Sequence, residues 1–153
     1  EGMPRYDFPD GQVELTTETA RAIANLFFHG VPERFPNIRW IMPHAGGTMP
    51  MNLYRLRNLL RTPAVAPRMP RPVDHYLKSL YYDIAQAVLP PTLQMIQSIA
   101  GTDRLLFGTD YPYSARGEAV ISDAIEGAQG FFDAAALRKV ELDNARALFP
   151  RFA

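Results

Sequence analysis

The chain has no cysteine among its 153 residues, so neither a disulfide framework nor a thiolate metal site is open to it. Charge of one sign is missing as well: 16 Lys and Arg balance 16 Asp and Glu. Without a basic surplus there is no electrostatic footprint for nucleic acid or an anionic membrane. No apolar run approaches the roughly 20 residues that cross a bilayer, and no signal-peptide pattern opens the sequence. These absences lead us to expect a soluble cytoplasmic protein. Histidine is scarce, with only His29, His44 and His75. The length suffices for one domain with a real core.

Two stretches share one design. In Arg104-Leu105-Leu106-Phe107-Gly108-Thr109-Asp110, a short apolar run of the kind that fills a buried strand breaks at glycine and ends on a carboxylate. Pro112 follows and blocks continuation of a strand ladder. In Arg39-Trp40-Ile41-Met42-Pro43-His44-Ala45-Gly46-Gly47, the strand expected over 38–42 gives way to an imidazole. The two glycines after it permit a sharp turn or close approach to a ligand. Taken alone, Asp110 is equally compatible with a loop or helix cap, and a lone histidine is more often a packing residue than a catalyst. Together, an imidazole and a carboxylate at neighbouring strand ends would face one pocket.

Around these stretches the elements alternate. Residues 1–15 read as loop. Thr16 is expected to cap a helix whose apolar positions Ala20, Ile23, Ala24, Phe27 and Phe28 run to a stop at Gly30. His29, in its last turn, suits the helix C-terminus and has no catalytic context. Pro50 suits a helix start, with Leu53, Leu56, Leu59 and Leu60 as the buried stripe and Arg55 off it. From periodicity alone Arg55 is a solvated arginine. Residues 62–72 carry four prolines and read as a surface excursion, a candidate subunit contact. A short helix over 73–80 holds His75 as a surface or packing residue. A strand over 80–85 follows, in which Asp83 is as compatible with a structural hydrogen-bonding role as with a pocket. Helices over 92–100 and 118–128 flank the strand at 105–107, and Asp133 caps a last helix. Strands alternating with helices imply a parallel sheet with right-handed crossovers.

The segments also resemble a known family. His44-Ala45-Gly46-Gly47-Thr48-Met49-Pro50 with Arg55, Gly108-Thr109-Asp110-Tyr111-Pro112, and Asp143-Asn144-Ala145-Arg146-Ala147-Leu148-Phe149 are similar, in order, to three motifs of the amidohydrolase-related decarboxylases. That group includes aminocarboxymuconate-semialdehyde, γ-resorcylate and 6-methylsalicylate decarboxylases. The resemblance implies an α/β fold that is the C-terminal part of a TIM (β/α)8 barrel, about strands 6 to 8, with residues 1–153 as one portion of a single domain. A whole barrel takes about 250 residues. The family's His-x-His pair on the first strand and its metal histidine near the fifth have no counterpart here.

What the resemblance implies for the site is specific. Asp110 would be a ligand of one divalent metal, Zn²⁺ or Mn²⁺, with the remaining ligands outside this segment. His44 would be the acid/base. Arg55 would bind a substrate carboxylate in a neighbouring subunit's pocket, which requires a homodimer or higher homo-oligomer. The reaction would be non-oxidative decarboxylation of a small aromatic or enoic carboxylic acid. A metal-dependent lactone or amide hydrolase on the same frame is the close alternative. A polypeptide inactive by itself is the other.

Overall fold

Short apolar runs punctuated by glycine and proline leave little length for strands, and the strands are short. The structure, a computed structural model, describes residues 10–152. Most of the loop expected over 1–15 thus lies outside the described residues. Helix α1 spans Glu14–Phe28 and α2 spans Val31–Arg34. Strand β1 is Ile41–Met42, and α3 is Leu53–Leu60 behind a 3₁₀ turn at Met49–Asn52. Helix α4 (Val73–Ser79) leads into β2 (Tyr81–Asp83), and α5 (Pro90–Ala100) into β3 (Leu105–Leu106). Helices α6 (Ala119–Phe131), α7 (Ala134–Arg138) and α8 (Asn144–Leu148) close the chain, the last two joined by a π-helical turn at Lys139–Asp143.

The three strands form one parallel sheet in the order β1-β2-β3. All three carboxyl ends therefore lie on one rim. Register sets Met42 beside Tyr82 and Tyr82 beside Leu105, and these three are buried against the helices. The Tyr82 hydroxyl donates to the Leu77 carbonyl of α4 at 2.9 Å, so its polar tip is satisfied inside the core. Tyr81 and Leu106 lie on the opposite face, with Ile41 beside Tyr81. There the Arg104 guanidinium sits 4.8 Å above the Tyr81 ring and donates to its hydroxyl at 2.7 Å. Ile41, at the sheet's β1 edge, stays 40% exposed.

The far edge is held from behind. Phe107 N–H donates to the Val140 carbonyl in the π turn at 2.9 Å. Buried Asn144 donates to the carbonyls of Thr102 and Leu105, each at 2.8 Å. The amide of the Asp-Asn-Ala segment thereby ties the start of β3 to the last helix.

Several expectations need correction. Helix α1 starts at Glu14, before Thr16. The hydroxyls of Thr16 and Thr17 bond back to the Val13 carbonyl instead of capping free N–H groups. Both threonines sit inside the first turn, where back-bonding is the available geometry. The strands expected over 38–42, 80–85 and 105–107 are trimmed to two or three residues each. β1 loses residues 38–40 at its amino end, whereas β2 and β3 stop at their carboxyl ends ahead of the left-handed Gln86 and Asp110. The proline-rich stretch 62–72 is no free excursion either: Val65 and Met69 are fully buried anchors within it.

Candidate functional site

The rim is built from backbone conformations that side chains normally avoid. Among the described residues four non-glycine positions have left-handed φ, and all lie within four residues of a strand's carboxyl end: His44 (53°) and Ala45 (54°) after β1, Gln86 (52°) after β2, and Asp110 (65°) after β3. Each such conformation costs on the order of 1–3 kcal/mol and persists only when its surroundings hold it. Gly46 and Gly47, also at positive φ, complete the turn after His44. Their missing side chains serve packing: a Cβ on Gly46 would meet the Tyr82 ring at 3.2 Å, and one on Gly47 would reach the Thr16 carbonyl oxygen at 2.1 Å. The sequence left close approach to a ligand open; the close partners are protein.

His44 is half-buried. Its N–H donates to Asp83 Oδ1 at 2.9 Å, and its Nδ1 lies 2.9 Å from the Ala85 carbonyl oxygen. A carbonyl only accepts, so this bond requires the proton on Nδ1. In the neutral ring Nε2 is then the unprotonated nitrogen, able to take up and return a proton. Asp83 Oδ1 also accepts the Ala85 N–H at 3.0 Å. Burial pushes the Asp83 carboxyl above its ordinary value, the nearby Asp110 charge adds to this, and the two N–H bonds with the His44 charge oppose it.

Asp110, half-buried, takes a hydrogen bond from the Gln86 side-chain amide. Its own carbonyl accepts from Tyr113 N–H at 2.9 Å, which shapes the turn through Tyr111 and Pro112. Gly108 lets the strand ends close up, since a Cβ there would lie 3.2 Å from the Asp83 Cβ. The structure thus brings His44 and Asp110 to one rim, with residues 83–86 between them. Sequence reasoning missed Gln86. The apolar-run-then-polar rule, applied to the end of β2 as it was to the other two strands, would have found it.

Arg55 lies elsewhere. It is exposed on α3 and lines a groove of about 370 Å³ with Thr17, Ala20, Thr48, Asn52 and Leu59. It forms no ion pair among the described residues. Met51, one turn before it, and Tyr54, the preceding residue, are 76% and 75% exposed. His29 ends α1 with its N–H on the Asn25 carbonyl, and exposed His75 stacks edge-on against Tyr76. Neither histidine joins the rim.

As a metal site the described residues are incomplete. No group of three or more His, Cys, Asp or Glu among them could hold an ion. Asp110 offers one carboxylate of the type that suits a hard or borderline cation. No helix among the described residues is long and apolar enough to cross a membrane.

Comparison with known proteins places this geometry. The chain is 30% identical to 6-methylsalicylic acid decarboxylase of Penicillium expansum over 97% of its own length and 44% of that protein. It is 29% identical to 2-amino-3-carboxymuconate-6-semialdehyde decarboxylase of Dictyostelium discoideum over 84% of this chain and 36% of that one. Among solved structures, an amidohydrolase II superposes with TM-score 0.80 at 25% identity, covering 97% of this chain and 47% of the other. A dihydroxybenzoic acid decarboxylase from Polaromonas with bound manganese and 2-nitroresorcinol gives TM-score 0.73 at 25% identity, over 98% and 49%. The chain spans less than half the length of each of these proteins. Its three-stranded sheet and helices are accordingly part of a TIM barrel, left incomplete within this chain. The amidohydrolase pattern itself matches residues 13–151, and the chain belongs to the amidohydrolase family.

Proposed function

We propose that this chain is the C-terminal portion of a metal-dependent, non-oxidative decarboxylase, with His44 as its proton donor and Asp110 as one metal ligand. The observation that carries the reading is the His44 ring. Its Nδ1 is tied to the Ala85 carbonyl, so Nε2 alone is left to handle a proton on the rim shared with Asp110. The names of the relatives favour an aromatic or enoic carboxylic acid over a lactone or amide substrate. Zinc or manganese is the expected cation and the cytoplasm the expected compartment.

The chemistry balances simply. The protonated His44 ring carries hydrogens on both nitrogens, and Nε2–H gives its proton to the substrate carbon that bears the carboxylate. The bond from that carbon to the carboxylate then breaks as CO₂ leaves, and its electron pair restores conjugation. His44 is left neutral in the Nδ1–H form that the Ala85 carbonyl selects, and regains a proton from solvent. The same Ala85 bond serves both charge states, so the ring does not need to move between them. Asp110 would be the residue of this chain that holds the cation, its carboxylate oriented by the hydrogen bond from the Gln86 amide. Bound there, the cation supplies a Lewis acid for the substrate's oxygens. Ligands from beyond the described residues would complete its coordination.

Arg55 fits a carboxylate clamp contributed to a second subunit. Its exposed position beside Met51 and Tyr54 suits a subunit contact, and a planar guanidinium suits bidentate capture of a carboxylate. To test the assignment, CO₂ release from a panel of hydroxybenzoic and enoic acids is followed in the metal-loaded protein. His44→Ala is expected to keep its metal and lose turnover by 10²-fold or more, on the order of what general acid catalysis contributes. Asp110→Asn is expected to lose metal and turnover together. Undiminished CO₂ release by the His44 variant would remove that residue from the reaction.

A further inference from the structure

Taking His44 as the acid/base, we infer that Asp83 is its positioning residue, acting on the His44 main chain directly and on the His44 ring through Ala85. One carboxylate oxygen, Asp83 Oδ1, accepts two N–H groups, that of His44 at 2.9 Å and that of Ala85 at 3.0 Å. The first bond pins the backbone at a residue whose φ of 53° is disfavoured without outside support. The second closes a turn from a strand aspartate to the residue two further on, a geometry aspartate side chains form readily. Ala85 then presents its carbonyl to His44 Nδ1 at 2.9 Å. Both ends of the histidine are thereby referred to a single atom on β2.

Several features show that room has been made for this circuit. Gly108 at the end of β3 has no side chain where a Cβ would crowd both Asp83 Cβ (3.2 Å) and Ala85 Cβ (3.5 Å). Ala85 itself is buried, as are Tyr81 and Tyr82 beside Asp83. A carboxylate among such neighbours is a costly choice for a strand position that an apolar residue could fill. If Asp83 merely held the strand end, its loss would lower stability and leave the ring's tautomer alone. A positioning role requires the reverse: the tautomer and turnover change with the acceptor.

The test uses the metal-loaded protein labelled with ¹⁵N-histidine, in which the imidazole nitrogens report the tautomer of His44. Asp83→Asn keeps an acceptor oxygen of the same reach. It is expected to retain the Nδ1–H form and to decarboxylate within about threefold of the parent rate. Asp83→Leu fills the same space without an acceptor. It is expected to show mixed tautomers and a kcat lower by on the order of 10²-fold, with KM changed far less. Should the leucine variant not fold, Asp83→Ser, too short to bridge both N–H groups, is read in its place. A pure Nδ1–H ring in the acceptor-less variant overturns the assignment, and so does parental turnover. If the parent protein releases no CO₂ from any acid, the decarboxylase reading fails, and the tautomer comparison still decides the role of Asp83.

Discussion

Replacing Gly47 with alanine should damage this fold more than any other single methyl group added to a glycine of the rim. Two penalties act at once. The residue sits at φ 59°, ψ −129°, a region that L side chains avoid, for roughly 1–3 kcal/mol. A Cβ built there lies 2.1 Å from the Thr16 carbonyl oxygen and 2.8 Å from its carbon. These are backbone atoms in the first turn of α1, so no rotamer change can relieve the clash. Moving α1 away breaks the Thr48 N–H bond to that same carbonyl, now 3.0 Å, for about 1 kcal/mol more. The sum is about 2–4 kcal/mol, or roughly 10 °C in melting temperature for a chain of this size. Gly101→Ala separates the two penalties. Its φ of 82° is equally foreign to alanine, yet nothing lies within 4 Å of the added carbon, so only the conformational part, about 1–3 kcal/mol, is expected. Urea unfolding of the parent and both variants measures the difference. If Gly47→Ala proves no more destabilising than Gly101→Ala, the helix does not bear on the turn as described.

Asn144→Leu removes two 2.8 Å bonds to the carbonyls of Thr102 and Leu105 and should cost about 2–3 kcal/mol in denaturant unfolding. Tyr76→Phe loses the bond to Glu33 and leaves the Arg71 N–H without its acceptor, for about 1–2 kcal/mol near neutrality. Burial first, with Glu33 adding to it, pushes the Tyr76 hydroxyl up to about 12. Its contribution is therefore fully present below the ordinary phenol value near 10 and is lost as pH rises through 12. Unfolding of Tyr76→Phe between pH 10 and 12 should accordingly show a shallower loss of stability than the parent. For Arg55, mixing inactive Arg55→Ala and His44→Ala chains should restore part of the activity if the arginine serves a neighbouring pocket; confirmed subunit exchange with no activity rules that out.

Much of the rim was legible because chemistry and local backbone coincide in the sequence. Apolar runs ending on His44 and Asp110 marked strand ends, and the parallel order of β1, β2 and β3 follows from intervening helices that leave no room for hairpins. The limits of each strand were not legible. Composition marks 38–42 as extended, but only Ile41 and Met42 join the ladder, since pairing depends on a neighbour that local sequence does not describe. The anchoring of 62–72 by Val65 and Met69 was hidden for a similar reason. Proline density signals a loop, and a loop can still insert side chains into a core. Gln86 was within reach of the same apolar-run-then-polar rule at the end of β2, but its partner, Asp110, is visible only once the strands are paired.

The two ends of the sheet are held by different means. Below the strands, Asn144 and Arg104 make bonds of ordinary length from relaxed backbone, and removing one subtracts from stability alone. Above them, the groups with chemistry to offer sit on left-handed backbone, kept there by hydrogen bonds that converge on residues 83–86. Strain of that kind lowers stability and is kept only where it places an atom. A barrel confines its chemistry to the carboxyl ends of its strands, and within these three strands the strained non-glycine residues are confined there too. The placement of strain thus selects the same rim as the titratable side chains do, without reference to what those side chains are. A substitution that relaxed the backbone, such as glycine at Ala45, should therefore raise stability by up to about 1 kcal/mol. It should slow turnover as the His44 ring loses its fixed direction. Unfolding and rate measurements on that one variant check both halves, and a gain in stability with no loss of rate would show that the strain places nothing.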